Sequence, residues 1–298
     1  MAVYLGSNKI SNGDLGVNQI NDLYVGTNPA FLIDLYSNPT VEQFITNTGI
    51  TGTTAAAVRQ LGQDLVFNGL WNKMIAFWPL AGSTADSFKY NLINPVDSNA
   101  AFRLTYTGSV GFGPGGMTGS VTGLANANTY WNPNLYTGTL ITGSFSFGAY
   151  TVNNSGSDTN CDMGIDVESG PTGRFAFGLY GQGSSPRGIN WVADAVVQAS
   201  TTSSAGFWVD SRTATNVHKL YKNGAQIGST DTSNISSGTF ASSINLRLMA
   251  QAFGAGIADY SPRTYGTFFI GYGLTDSNVY TLNNIIHTYN TTLGRPYQ

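Results

Sequence analysis

The sequence predicts a mainly β protein, a two-sheet sandwich flanked by a few helices, and three observations carry that prediction. The first is composition. Charged residues make up 10% of the 298, against the usual quarter or so, while 37 glycines and many Thr, Ser and Asn fill the difference. Short strands joined by Gly/Asn turns produce such a balance. The second is the stretch Leu220-Tyr221-Lys222-Asn223-Gly224-Ala225-Gln226-Ile227. Asn-Gly suits a type I′ turn, whose two central residues both need φ > 0. Folding back from it sets Lys222 against Ala225, Tyr221 against Gln226 and Leu220 against Ile227, so the last pair shares an apolar face. A lone hairpin is marginal in water, so a sheet must surround it. The third is the rapid succession of strand candidates between Ala76 and Leu274, at the spacing of sandwiches.

Taken in order, the chain opens with three ten-residue repeats. Leu5-Gly6-Ser7-Asn8-Lys9-Ile10 aligns with Leu15-Gly16-Val17-Asn18-Gln19-Ile20 and with Val25-Gly26-Thr27-Asn28-Pro29-Ala30. Each reads as a short strand ending in a Gly turn. Residues 1–33 hold too little apolar surface to fold alone. Leu5, Ile10, Leu15, Ile20, Tyr24 and Val25 must bury against something, either a partner surface or the protein's own sandwich. Residues 34–75 read as a helical connector. Asn38-Pro39 starts one helix, with Val41, Phe44 and Ile45 on its apolar face and Gly49 as its stop. Thr53 or Thr54 caps a second, in which Val58, Leu61 and Leu65 recur at helical spacing. Leu70–Ile75 reads as another helical turn.

Residues 76–274 form the predicted sandwich. Its strand candidates are Ala101–Thr107, Ser144–Val152, Met163–Glu168, Arg174–Tyr180, Ile189–Ala193, Gly206–Ser211, Val217–Lys222, Ala225–Thr230, Ile244–Ala250 and Gly266–Tyr272. Alternate apolar residues (Phe145 and Phe147, Phe175 and Phe177, Phe268 and Ile270) mark inward faces. The Gly/Asn-rich run from Gly108 to Thr139 reads as loops or irregular strands. Residues 275–298 read as a helix capped by Thr275 and ended by Gly294. Its stripe Val279, Leu282, Ile286, Tyr289, Leu293 docks on the sandwich or on the earlier helices, with a trimeric seam as the alternative. A homo-oligomer, dimer or trimer, is expected.

Composition excludes several classes. Net charge is −3 and the 13 Lys and Arg are scattered, so nucleic acid is not an expected partner. Cys161 is the single cysteine, which rules out an intrachain disulfide and most Cys-based metal sites. The opening Met-Ala-Val-Tyr-Leu-Gly lacks the pattern of a secretory leader. Met74–Ala81, the densest apolar patch, is too short to span a bilayer, so no membrane insertion is expected. Gly111–Gly116 satisfies G-x-G-x-x-G, but it is a proline loop among strands without the context that dinucleotide binding needs. His218 and His287 read as ordinary surface or packed residues.

Two ligand sets are left. Asp158-Thr159-Asn160-Cys161-Asp162 has the D-x-N-x-D spacing of oxygen-rich calcium loops, but Met163 stands where glycine should follow and the closing Glu is missing. It reads as a surface turn, with weak Ca²⁺ binding by Asp158, Asn160 and Asp162 as the alternative; no other cofactor is expected. Tyr130-Trp131-Asn132, and Arg187, Asn190 and Trp191 within Ser185–Trp191, supply the aromatic platforms and polar groups of sugar binding in predicted loops.

The hairpin resembles the Y-x-N-G-x-x-x-G strand pair of laminin-G/concanavalin-like β-sandwich (jelly-roll) domains. Phe269-Ile270-Gly271-Tyr272-Gly273-Leu274-Thr275-Asp276, then Leu282, then Tyr289-Asn290-Thr291-Thr292-Leu293-Gly294-Arg295, resembles the closing segment of tailed-phage structural proteins. The repeats, and Gly69–Met74 running into Phe77–Asp86, are similar to elements of the same group. The resemblance implies a bacteriophage virion protein with a concanavalin-like sandwich. Such a protein would be assembled in the host cytoplasm and docked through residues 1–33 on other capsid or tail proteins, as a head decoration, head fibre or tail appendage. A carbohydrate-binding adhesin on the particle, for host or mucosal glycans, is the alternative. Concanavalin-like glycosidases carry an E-(I/L)-D-x-E strand. Here Gly164-Ile165-Asp166-Val167-Glu168 has glycine in the nucleophile slot, so no enzyme is expected.

Overall fold

The computed structural model describes residues 3–5, 8–10, 38–128, 144–155, 160–167, 175–180, 187–192, 196–198, 203–233, 245–253 and 256–297. The chain divides into two units, Met1–Asn38 and Pro39–Gln298. In the first, β1 (Val3–Leu5) pairs antiparallel with β2 (Asn8–Ile10), with Leu5 opposite Asn8 and Val3 opposite Ile10. The first repeat therefore contributes to two strands, where the sequence predicts one. Leu15, Ile20, Tyr24 and Val25 lie outside the described residues.

Two helices open the second unit. α1 (Pro39–Thr48) carries proline in its first turn, where the missing N–H is not needed, and buries Val41, Phe44 and Ile45. α2 (Gly52–Phe67) buries Val58, Leu61 and Leu65, and its N-cap is Thr51, earlier than the predicted Thr53 or Thr54. A 3₁₀ turn at Trp71–Lys73 takes the place of the predicted helical turn. There follow β3 (Met74–Trp78), short α3 (Ala85–Phe88), β4 (Thr105–Thr107), β5 (Gly111–Gly113), β6 (Gly116–Thr118), β7 (Leu124–Asn126), β8 (Phe145–Thr151), β9 (Met163–Val167), β10 (Phe175–Tyr180) and β11 (Arg187–Val192). Next come β12 (Val196–Gln198), β13 (Gly206–Ala214), β14 (Val217–Lys222), β15 (Ala225–Asp231), β16 (Arg247–Leu248), β17 (Gln251–Phe253), β18 (Gly256–Ala258), β19 (Thr264–Gly271) and α4 (Asp276–Thr292).

These strands form two sheets. Sheet one runs β15–β14–β13–β8–β19; the far edge of β19 is shared by β6 at one end and β3 at the other, with β5 beyond β6. Sheet two runs β12–β11–β10–β9–β16–β7–β4, with the β17–β18 hairpin beside β9. Among the described strands every pairing is antiparallel except that of β17 with β9. One core lies between the sheets, built from Phe145, Phe147, Trp208, Phe268 and Ile270 of sheet one and Ala125, Met163 and Leu248 of sheet two.

The other face of sheet one is buried too. Phe77, Tyr150, Phe207, Val209, Tyr221 and Phe269 pack with α1, α2 and α4 in a second core. The molecule thus has a helical layer on sheet one, and β8 is buried at every residue. A strand covered on both faces loses the exposed/buried alternation that sequence patterning reads. Phe145, Phe147, Phe268 and Ile270 do face the sandwich core, while Tyr150 and Phe269 are as deeply buried on the opposite side. The run from Gly108, expected as loops or irregular strands, contains the three short strands β5, β6 and β7.

Two local features follow the sequence closely. Asn223 and Gly224 have φ of +51° and +82°, and the register sets Lys222, Tyr221 and Leu220 against Ala225, Gln226 and Ile227. Asn223 also extends the ladder sideways, its Oδ1 accepting from the Phe207 N–H at 2.8 Å. α4 opens with a capping box between Thr275 and Asn278, and Val279, Leu282, Ile286 and Tyr289 are buried along it.

Gly148 tests how tightly the layers fit. A Cβ there would come within 2.5 Å of both the Phe269 ring and the Trp208 carbonyl oxygen. Gly148→Ala should cost about 1–3 kcal/mol by overpacking, read from urea unfolding, and an unchanged midpoint would contradict the packing described.

Candidate functional site

The residues nominated from sequence do not converge on one site. Tyr130, Trp131, Asn132 and Asp158 lie outside the described residues. Arg187, Asn190 and Trp191, expected at loop positions although Asn190 and Trp191 also fall in the strand candidate Ile189–Ala193, are part of strand β11. Asn190 pairs with Phe177, Trp191 with Ala176, and Arg187 with Tyr180 and Gln198. Adjacent strand positions belong to opposite faces of a sheet, so Asn190 and Trp191 do not sit side by side on one face. Gly111–Gly116, set aside as a phosphate loop, is the β5–β6 hairpin.

Asp162 is not in an open, oxygen-rich turn. Its side chain is fully buried, and its Oδ1 accepts from Arg263 Nη1 at 2.8 Å. The Tyr265 hydroxyl donates to the same oxygen, and Ser261 Oγ lies 2.6 Å from that hydroxyl. Asn160 points elsewhere, its amide donating to the Tyr260 carbonyl. Burial and the Asp162 charge push the Tyr265 hydroxyl well above the usual tyrosine range. Asp162 directly precedes β9 of sheet two, while Arg263 directly precedes β19 of sheet one and Tyr265 lies at its start, so the cluster ties the sheets together from inside. Among the described residues no three His, Cys, Asp or Glu side chains are grouped to hold a metal ion.

Sequence reasoning missed a second buried cluster. His218 is fully buried and its Nε2 lies 2.7 Å from Asp210 Oδ2. Its Nδ1 faces Asp231 Oδ2 at 3.8 Å, and Arg212 stands opposite it on β13, with Nη1 donating to the Thr215 carbonyl. A bulge in β15 near Gly228, which has φ +68°, brings Asp231 opposite His218. One signal was available: Leu220 was read as inward, and His218, two residues away on the same strand, shares its face.

On sheet two, Thr105, Asn126, Arg247 and Gly164 stand in one cross-strand row that continues to Gly178. Ala125, Met163 and Leu248, their neighbours, face the core, so the row belongs to the outer face. Asn126 Oδ1 is buried and has no hydrogen-bond partner. Asn126 Nδ2 donates within the row, to the Thr105 carbonyl at 3.4 Å and to Thr107 Oγ1 at 3.5 Å, and the half-buried Arg247 side chain lies in the same row. This is the best-formed candidate binding row among the described residues.

Asp276, at the start of α4, pins that helix to sheet one. Lys219 Nζ lies 2.8 Å from its Oδ1, and the Tyr221 hydroxyl donates to it at 2.6 Å. These bonds hold its carboxyl below the usual aspartate range. The stabilisation is therefore complete above the unfolded-state pKa and is lost as pH falls through the lower folded-state value. Asp276→Asn should be less stable than the parent at neutral pH, with the gap closing below about pH 4. A gap that stays constant down to acid would contradict the pairing.

No protein-family profile and no characterised sequence matches the chain. Solved structures resemble it in shape. Domain 4 of AbnA, a GH43 extracellular arabinanase from Geobacillus stearothermophilus, in complex with arabinotriose, is 14% identical over 71% of this chain and 98% of that one, with TM-score 0.45. A mutant of Trypanosoma rangeli sialidase displaying trans-sialidase activity is 13% identical, covering 78% of this chain and 39% of the sialidase, with TM-score 0.49. The binding domain of Botulinum neurotoxin DC in complex with rat synaptotagmin II is 13% identical over 72% and 52% of the two chains, with TM-score 0.42. The chain spans well under two thirds of the sialidase and of the toxin domain. Likenesses at this level assign neither an activity nor a ligand.

Proposed function

We propose that this chain is a non-catalytic structural component of a tailed-phage particle, a β-sandwich body fastened by its repeat-bearing first unit. The observation that carries the reading is the division at Asn38/Pro39, which separates residues that hold the decapeptide repeats from a body with two cores of its own. The chemistry of the body agrees. Glu42, Asp86, Asp97, Asp162, Asp210 and Asp276 each hold a lysine, arginine or histidine partner, the disposition of structural carboxylates. Gly164, on β9, occupies the slot where the glycosidase pattern has its nucleophile. Deleting residues 1–38 should leave a body with the parent's melting temperature that no longer joins particles. Unchanged incorporation would remove the fastening role.

The outer row of sheet two favours a second reading, glycan binding by the same body. The Asn126 and Arg247 side chains, with the glycines beside them, would contact the sugar. A glycan array probed with the full chain tests it: binding should fall at least tenfold in Asn126→Ala or Arg247→Ala. Silence of the parent across the array would eliminate this reading and leave the structural one standing.

A further inference from the structure

The sequence holds no charged residue and no histidine between Arg103 and Asp158. Burial accounts for part of that run, since β8 is buried at every residue. It does not account for the stretch from β4 to the loop before β7, where Thr107, Ser109, Gly111, Val121 and Thr122 are exposed. These residues lie along one side of the sandwich. Sheet two ends there in β4 and sheet one in β5, and the Tyr106 and Phe112 rings of the two edge strands meet edge-on with centroids 4.8 Å apart. The loops on this side are fitted backbone to backbone. A Cβ on Gly108, which has φ +70°, would run into the Thr122 carbonyl oxygen, and one on Gly123 into the Ser109 carbonyl oxygen. Val121 stands on this support at 78% exposure, the highest of any large apolar side chain among the described residues.

We propose that this uncharged side of the sandwich docks a second copy of the chain, in a twofold pair that brings the two Val121 side chains together near the axis. Charge chooses the occupant. Each chain carries −3, so two copies repel where their charged surfaces meet, and on this side they approach without that cost. A different partner is ordinarily steered and selected by complementary charge, and this side offers none to read. The strand edges agree. β4 and β5 carry no lysine, proline or bulge to shield them, whereas β15, the opposite edge of sheet one, is bulged near Gly228. The α4 stripe, the other surface expected to make a self-contact, is already buried in the second core. Loops this tightly fitted also lose little freedom on docking. Between Thr105 and Asn126 sixteen residues are exposed or half-buried, fewer than the roughly 20–30 a side of a standard interface, so the pair should be a weak one with a micromolar Kd. The contact is separate from fastening by residues 1–38.

Sedimentation equilibrium of the full chain tests this. The parent should show a reversible monomer–dimer equilibrium. Val121→Asp sets like charges across the axis and should raise the Kd about tenfold or more. Tyr280→Asp, which charges an exposed residue on α4, should leave it unchanged. Mixing Val121→Asp with Val121→Lys should restore pairing, which a merely disturbed loop would not do. All variants should keep the parent's melting temperature; should the Val121 variants fail to fold, Thr122→Asp and Thr122→Lys carry the same test. A parent that stays monomeric up to about 1 mM overturns the proposal. It does so even if Val121→Asp lowers particle incorporation, an outcome that would assign this side to another particle protein. A dimer that Val121→Asp leaves intact, one that Tyr280→Asp weakens equally, or a mixture without rescue overturns it as well.

Discussion

Arg263→Ala should remove about 3–5 kcal/mol of folding stability, seen as a fall in the urea midpoint at unchanged slope. Arg263 and Asp162 are both essentially without solvent, at 1% and 0% exposure. Bringing two charges into such a place costs several kcal/mol per ion, and their mutual attraction with added hydrogen bonds offsets it. Removing only the arginine leaves the carboxylate in the interior with the Tyr265 hydroxyl and no cation. Replacing both residues by apolar side chains of similar volume should recover most of the loss, because the buried charge is then gone. If Arg263→Ala falls within about 1 kcal/mol of the parent, the pair does not hold the sheets together as described.

Trp208→Ala is the second large effect, again about 3–5 kcal/mol. Trp208 is fully buried in the sandwich core, its indole N–H donates to the Ser204 carbonyl at 2.7 Å, and Lys222 Nζ lies 4.9 Å from the ring centroid. Truncation opens a cavity between well-packed sheets and strands that carbonyl. Burial holds the Lys222 ammonium below the usual lysine range, and truncation would also remove the cation–π contact that favours its charged form. Trp208→Phe should cost clearly less, since most of the volume stays. Equal losses for the two substitutions, measured by urea unfolding, would place the energy in the hydrogen bond and not in the packing.

Much of the fold is legible because local chemistry dictates it. Asn223-Gly224 sets the hairpin register, Thr275 sets the start of α4, and Pro39 sets the start of α1. The stripe of α4 is legible as a docking face, and it packs on sheet one and on α1 and α2. That three helices cover a whole face of sheet one is not legible, because Tyr150 and Phe269 interleave with inward residues and periodicity does not say which neighbour covers a face. The same limit hides the polar clusters. Asp162 and Arg263 stand 101 residues apart, and Asp231 meets His218 only through a bulge. Arg187, Asn190 and Trp191 were nominated for residue type alone, and the ladder of β11 separates what composition had grouped. The polar row on sheet two needs four strands in register, so no contiguous stretch displays it.

The two-sided burial of sheet one bears on how this protein can change over generations. A substitution on β8 or β19 must suit the sandwich core and the helices at once, so few replacements satisfy both. Among the described residues of sheet two, Thr105, Asn126 and Arg247 are only half-buried on the outer face and are freer to drift. In a saturation library scored for folding, tolerated variants should thin out along β8 and cluster at Thr105, Asn126 and the loops beside them. New recognition properties, when they arise, have that side of the molecule to arise on.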